Sequence, residues 1–379
     1  MKKTSSRNRI AHRIEEEIKK HGPITFEKFT GHALYDEDDG YYRCGKAEIG
    51  KKGDFYTNPA AHRAFGETLA RVISDLRNKI APGADEKITV LEVGGANSVL
   101  ASDILDSLAR TDPETYGAVQ YSLLDLCEPR KCAASGVHPN FRRIKSLADA
   151  GHTTGIILSN ELFDAIPFHR LVFRGGKIRE IFVSLGEDGF TETESVPSSA
   201  DLLKYFDRFG GAEEMGFLEG QQFEIRPAAA KMLKQMADTL VKGVILTIDY
   251  GFRARELFSP DRVGGTFKCV SEHKINESPY ENIGNQDITA HVDFENLEKA
   301  GEVSGLATLK YTTQGQFLVD WGIIDVAGQN PDEILAIKNL FMPTMMGDSF
   351  RVLMQSKNAP ELAQGFYPES PLRISFGVD

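Results

Sequence analysis

The sequence predicts an α/β protein, a mainly parallel sheet with helices on both faces, and three observations carry that expectation. Four short, nearly continuous apolar runs, "ITVLEV" (88–93), "YSLLDL" (121–126), "GIILSN" (155–160) and "GVILTID" (243–249), are each followed by helix-like sequence. Runs that are apolar on both faces belong to a sheet covered on both sides. Polar residues and glycines gather at their carboxyl ends, where open α/β sheets bind ligands: Glu92 with Gly94 and Gly95, Asp125, Asn160 with Glu161, and Asp249 with Tyr250 and Gly251. With 379 residues, 41% hydrophobic and 26% charged, the chain matches a soluble globular protein with a substantial core.

The elements follow in order. Residues 1–30 read as helical, with Ile10, Ile14 and Ile18 four apart on one face. Residues 34–59, rich in Gly, Asp and Tyr, lack any period and read as an irregular arm, a kind of segment that is often functional. A helix over about 61–78 follows from Ala64, Phe65, Leu69, Val72, Ile73 and Leu76. Two alternating runs around Gly175-Gly176, "LVFRGGKIREIFVSL", predict a β-hairpin that interrupts the αβ rhythm. A second interruption, 252–295, shows no clear period, and "TLKYTTQGQFL" with "FRVLMQ" supplies an antiparallel edge pair. The resulting division is an N-terminal helix and arm (1–60), a core (61–170 and 241–379, with 252–295 inserted), and a hairpin and helical subdomain (171–240).

A net charge of −11 disfavours nucleic acid or an anionic membrane as the main partner and weakly favours a cationic substrate. Cys44, Cys127, Cys132 and Cys269 form no CxxC pair, and the nine histidines include no HExxH, so neither a disulfide framework nor a metal is expected. No apolar run reaches the ~20 residues of a membrane span. The opening stretch is basic but has no hydrophobic h-region, and Glu15, Glu16 and Glu17 argue against an organellar targeting arm. The expected compartment is therefore the cytoplasm.

Residues 90–105, "VLEVGGANSVLASDIL", have the outline of a strand–loop–helix cofactor site. A dinucleotide site asks for G-x-G-x-x-G and an acid about 20 residues on. Here the glycines are adjacent, and Glu92 would repel a pyrophosphate. S-adenosylmethionine suits the charges better: it has no phosphate, and its ammonium and sulfonium can face Glu92 while its ribose diol bonds Asp125. A plain αβ turn is the third reading.

The stretches "GYY", "GDFYTNPAAHRAFGE", "SNELFDAIPFHRL", "LTIDYG", "GGTFKCVSEH", "DITAHVDF", "QGQFL" and "MMGDSFRVL" occur in that order from residue 40 to residue 353. In this the chain resembles the MidA family, which includes the mitochondrial complex I assembly-factor methyltransferase. The resemblance implies a Rossmann-like class I methyltransferase fold with an added substrate-facing subdomain, and S-adenosylmethionine as methyl donor. It also implies a protein substrate, since the mitochondrial member methylates arginine on a complex I subunit. A homodimer is compatible with it. Carried over by position, Gly53, Asp54 and Thr57 belong to an arm lying over the cofactor. Glu92, Gly94 and Gly95 form the first-strand motif, Asp125 is the ribose acid, and Asn160, Glu161, Asp164 and Pro167 stand beside the transferred methyl. Glu161, Asp164 and His273 are the catalytic candidates, the two acids as a clamp for a guanidinium.

The family loop reads like E-L-G-P-G-R-G-T, whereas this chain has Ala96 and Ser98 at two of its glycine positions. A side chain at positive φ costs about 1–2 kcal/mol, which would loosen the site. Three functions stay open at this level: a protein arginine methyltransferase, a methyltransferase-fold assembly or binding factor with weakened activity, and a small-molecule methyltransferase.

Overall fold

The four apolar runs lie side by side in one sheet. The structure, a computed structural model, describes residues 9–43, 58, 62–83, 86–126, 133–271, 274–326, 331–363, 366–368, 370 and 372. Gly53, Asp54, Thr57 and His273 lie outside the described residues.

Helix α1 (Arg9–His21) buries Ile10, Ile14 and Ile18, as the four-residue spacing requires. The expected single N-terminal helix is broken at Gly22-Pro23, because proline removes a backbone donor and glycine enters at φ +84°. A two-residue strand β1 (Ile24–Thr25) then leads into α2 (Phe26–Tyr35), whose first turn is capped by the Thr25 hydroxyl accepting from the Lys28 N–H.

Helix α3 (Ala64–Ile80) precedes β2 (Ile88–Val93) and α4 (Val99–Thr111). Then come β3 (Val119–Leu124), β4 (Phe141–Ile144) and β5 (Thr153–Asn160). The predicted hairpin is present as β6 (His169–Arg174) and β7 (Lys177–Gly186), antiparallel, with Gly175 and Gly176 both at positive φ in the turn. It is extended by β8 (Gly189–Ser195) and β9 (Gln222–Ile225), which the sequence reading missed. Helix α5 (Pro227–Thr239) leads into the long strand β10 (Leu240–Phe252). The stretch without a clear period holds a three-stranded sheet, β11 (Lys268–Ser271), β12 (Lys274–Asn276) and β13 (Asp287–Thr289), followed by β14 (Val292–Asp293). Helix α6 (Phe294–Val303), β15 (Ala307–Thr313), α7 (Gln314–Asp320), α8 (Pro331–Phe341) and β16 (Phe350–Lys357) complete the order.

The main sheet runs β4-β3-β2-β5-β10-β16-β15, with β16 antiparallel to both neighbours and β14 also pairing with β10. The expected antiparallel pair closes one edge of the sheet as β16 and β15, but "QGQFL" is helix α7 and not strand. Apolar side chains cover both faces. One layer combines α3, α4 and α7 (Leu69, Ile73, Leu105, Phe317), and the other combines α5 and α6 (Leu233, Met236, Phe294, Leu297). From β2 the chain moves out through β3 to β4, then returns to β5 on the other side of β2. The reversal opens a crevice at the carboxyl ends of β2 and β5, which is where the acids and glycines stand.

Candidate active site

The loop after β2 is built around two glycines. Gly94 has φ +82°, a left-handed conformation that its lack of a Cβ permits. At Gly95 a Cβ would stand 2.6 Å from both Glu92 Cδ and Leu123 Cδ1, so only glycine lets the backbone pass this closely. Beneath the loop, Glu92 is 2% exposed and its Oε2 accepts from the Tyr121 hydroxyl at 3.0 Å. Burial pushes its carboxyl up to about 7. Glu92 therefore supports the loop from underneath. Asp125, at the end of β3, is partly exposed, and its Oδ2 accepts the Ala96 N–H at 2.8 Å. One carboxylate thus ties the second strand end to the first loop.

The two substituted glycine positions do occupy positive φ, Ala96 at +42° and Ser98 at +61°. The strain is offset in part. Arg143 Nη1 donates to the Ala96 carbonyl at 3.0 Å. The Ser98 hydroxyl, fully buried, donates to the Asn97 carbonyl at 2.6 Å and accepts the Ala134 N–H at 3.1 Å. A glycine at 98 would forgo both bonds, whereas the Ala96 methyl makes no hydrogen bond. Ala96→Gly is therefore expected to stabilise the protein by up to about 1 kcal/mol, the left-handed strain less the added chain entropy of glycine. A lower melting temperature for Ala96→Gly would show that the alanine is there for packing.

The second wall of the crevice comes from the turn after β5. Glu161 has φ +53°, and its N–H donates to the Ile248 carbonyl of β10 at 2.9 Å. Its Oε1 accepts from the Asn58 N–H at 3.2 Å and from Asn160 Nδ2 at 3.0 Å. Burial, then the charge of Asp164, pushes its carboxyl up to about 8. Asp164 is buried, its Oδ2 accepts from the Thr289 hydroxyl at 3.1 Å, and its carboxyl also meets the Ala165 N–H and the Asp249 carboxyl. Asp249 is fully buried beneath the same turn, and burial together with Asp164 holds its carboxyl well above the usual carboxylate range. Asp164 is raised as well, by burial above all, so both buried acids hold a proton more tightly than an exposed carboxyl would.

Sequence reasoning missed Asn58, Arg226, Tyr35 and Tyr42 as builders of this site. Asn58, fully buried, makes a reciprocal amide pair with Gln314 (2.8 Å in each direction) and donates to Asn160 Oδ1 at 3.2 Å. Arg226 is almost fully buried and donates to four backbone carbonyls: Ile166 (2.9 Å), His291 (2.7 Å), Asp164 (2.8 Å) and Ala290 (2.5 Å). Tyr35 donates to the Ala165 carbonyl at 2.9 Å and Tyr42 to Asp287 Oδ1 at 2.7 Å, which fastens the N-terminal segment onto the same turn and onto β13. Burial and nearby arginines push His291 down to about 4, so it is neutral across physiological pH. Among the described residues no group of His, Cys, Asp and Glu could hold a metal ion, and no helix is long and apolar enough to cross a membrane.

These residues fit the expected cofactor. Glycines without room for a Cβ, beside the partly exposed carboxylate of Asp125, suit a phosphate-free nucleoside.

Comparison with known proteins agrees. Residues 66–312 match the model of a family described as "Putative S-adenosyl-L-methionine-dependent methyltransferase". The mouse mitochondrial protein arginine methyltransferase NDUFAF7 is 25% identical over 376 residues, covering 88% of this chain and 81% of that protein. The human protein of the same name is 25% identical over 342 residues, covering 81% and 71%. A crystal structure from Burkholderia thailandensis bound to S-adenosyl-homocysteine superposes with a TM-score of 0.82 at 26% identity, covering 94% of this chain and 95% of that one. A second, native structure from the same organism gives 0.80 at 24% identity, covering 96% of each. The relatives are named as mitochondrial, which overturns the cytoplasmic expectation. That expectation rested on a default redox compartment and on Glu15, Glu16 and Glu17, and neither observation encodes an address.

Proposed function

Since the chain belongs to this family of S-adenosylmethionine-dependent methyltransferases, we propose that the group it methylates is an arginine side chain of a protein. S-adenosylmethionine is its methyl donor, and when bound it supplies an electrophilic methyl on a sulfonium. Gly94, Gly95, Asp125 and Asn160 would hold it, with Glu92 shaping the loop from below.

One observation supports the guanidinium most. Glu161 and Asp164 form an acidic pair at the strand end, where burial and the Asp164 charge raise the cost of ionising Glu161. A guanidinium offers planar donors together with the compensating charge. A carboxyl raised to about 8 is largely neutral before a cation enters; a guanidinium beside it favours ionisation. In-line transfer forms a bond from guanidinium nitrogen to methyl carbon as the sulfonium C–S bond breaks. The nitrogen gives up a proton, and Glu161 is the group assigned to accept it. The names of the relatives support protein arginine as the substrate class over a small molecule.

Calorimetric titration with S-adenosylhomocysteine tests the cofactor site. Asp125→Ala is expected to weaken binding by about 1.5–3 kcal/mol, roughly 10- to 150-fold, the range for hydrogen bonds to a charged group. No heat from the unmodified protein at millimolar ligand would favour the assembly-factor reading. Mass spectrometry of arginine-containing peptides, from lysates incubated with and without the enzyme, tests the acceptor.

A further inference from the structure

We propose that Asp249 is a positioning residue that holds the 161–164 turn, and through it the carboxyl of Glu161, in the geometry the acceptor site requires. The inference rests on the assignment of Glu161 to that site. Strands β5 and β10 run parallel with Asn160 beside Ile248, so the residue after each partner stands at the rim of the crevice. From there the chain must reverse sharply. Asp249 Oδ2 accepts three consecutive backbone N–H groups of the reversal, from Leu162 at 3.2 Å, Phe163 at 2.8 Å and Asp164 at 3.3 Å. Its Oδ1 accepts the Tyr250 N–H at 2.8 Å.

Four donors thus converge on one fully buried carboxyl. Amides that converge in this way form a concave nest, here filled by the protein's own side chain. The nest fixes the backbone that follows Glu161, and Glu161 occupies a left-handed conformation that a side chain other than glycine rarely adopts. Such strain persists only where the surroundings over-determine it. The Ile248 carbonyl holds the Glu161 N–H from one side and Asp249 holds the next three amides from the other. The Glu161 carboxyl is then delivered to the Asn58 N–H and the Asn160 amide, with Asp164, Asp249 and Asp287 as its acidic neighbours.

The test compares Asp249→Ala with Asp249→Asn, since an asparagine oxygen can still accept the three amides without carrying charge. Two readouts are followed. One is hydrogen exchange of residues 161–164, and the other is titration of Glu161 by carboxyl carbon NMR, compared with the Glu161→Gln spectrum for assignment. The alanine variant is expected to lose at least tenfold protection at 162–164. Its Glu161 titration should fall from about 8 toward the ordinary carboxylate range as the side chain gains solvent. The asparagine variant should keep the protection and most of the shift. Equal shifts in the two variants would reduce Asp249 to a nearby charge and overturn the proposal, as would unchanged exchange in Asp249→Ala. S-adenosylhomocysteine titration of the unmodified protein reports separately on the methyltransferase reading, whatever the Asp249 variants do to the turn beside Asn160.

Discussion

Arg226→Met is expected to cost about 3–5 kcal/mol of stability, the range found when one member of a buried charged network is removed. Arg226 is 5% exposed, and its guanidinium lies 4.9 Å from the centre of the Phe168 ring. Its hydrogen-bond partners are carbonyls from two segments far apart in sequence, Asp164 and Ile166 on the post-β5 turn and Ala290 and His291 just after β13. Burial lowers the pKa of Arg226 from its ordinary value, and nearby Asp164, Asp249 and Glu224 oppose that shift, so the cation offsets part of the acid cluster. Methionine fills much of the same volume but leaves four carbonyls without this donor and the acids without a counter-charge. Urea denaturation would show a lowered midpoint with little change in slope. A loss under 1 kcal/mol would mean that water or the neighbouring acids take over its bonds.

The outline of this site was legible in the sequence because it is local. Strand ends are marked by a change from apolar to acidic or glycine residues, and that change located Glu92, Asp125, Asn160 and Glu161. Ala96 and Ser98 stood out against a glycine pattern, and both occupy positive φ. What escaped was long-range. Asn58 and Gln314 are 256 residues apart, and each lay in a quoted motif without a role, since nothing in either neighbourhood names the other. Arg226 sits between a strand and a helix with no local reason to be buried, and its partners are carbonyls, which have no sequence signature. The 252–295 stretch hid a sheet because its strands are three or four residues long, too short for alternation to register. The β8 strand, mostly exposed and rich in Thr and Glu, gave no apolar alternation to read.

Glu161→Gln is expected to lower methyl transfer to an arginine acceptor by about 100- to 10,000-fold, the range for a positioned proton acceptor, while cofactor affinity changes little. The pH dependence separates this role from a structural one. A carboxyl at about 8 in the free enzyme accepts a proton only when ionised, so wild-type kcat/KM should rise through pH 8 and level above it. Stability should move the other way. The folded state holds the Glu161 proton up to about pH 8, whereas the unfolded chain releases it near the ordinary value of 4.5. Between those values the folded state binds more protons, and stability falls as pH rises. The glutamine side chain cannot ionise and escapes that fall, so the variant should lose activity yet gain stability relative to wild type, most clearly above pH 8. Glu92, raised to about 7, adds its own fall over a lower range, but it is common to both proteins and cancels in the comparison. Parallel melts and initial rates from pH 5 to 9 provide the check. If the two melting curves stay parallel across that range, Glu161 is ionised throughout in the folded protein. If the variant keeps full turnover, the proton leaves by another route and Glu161 only shapes the turn.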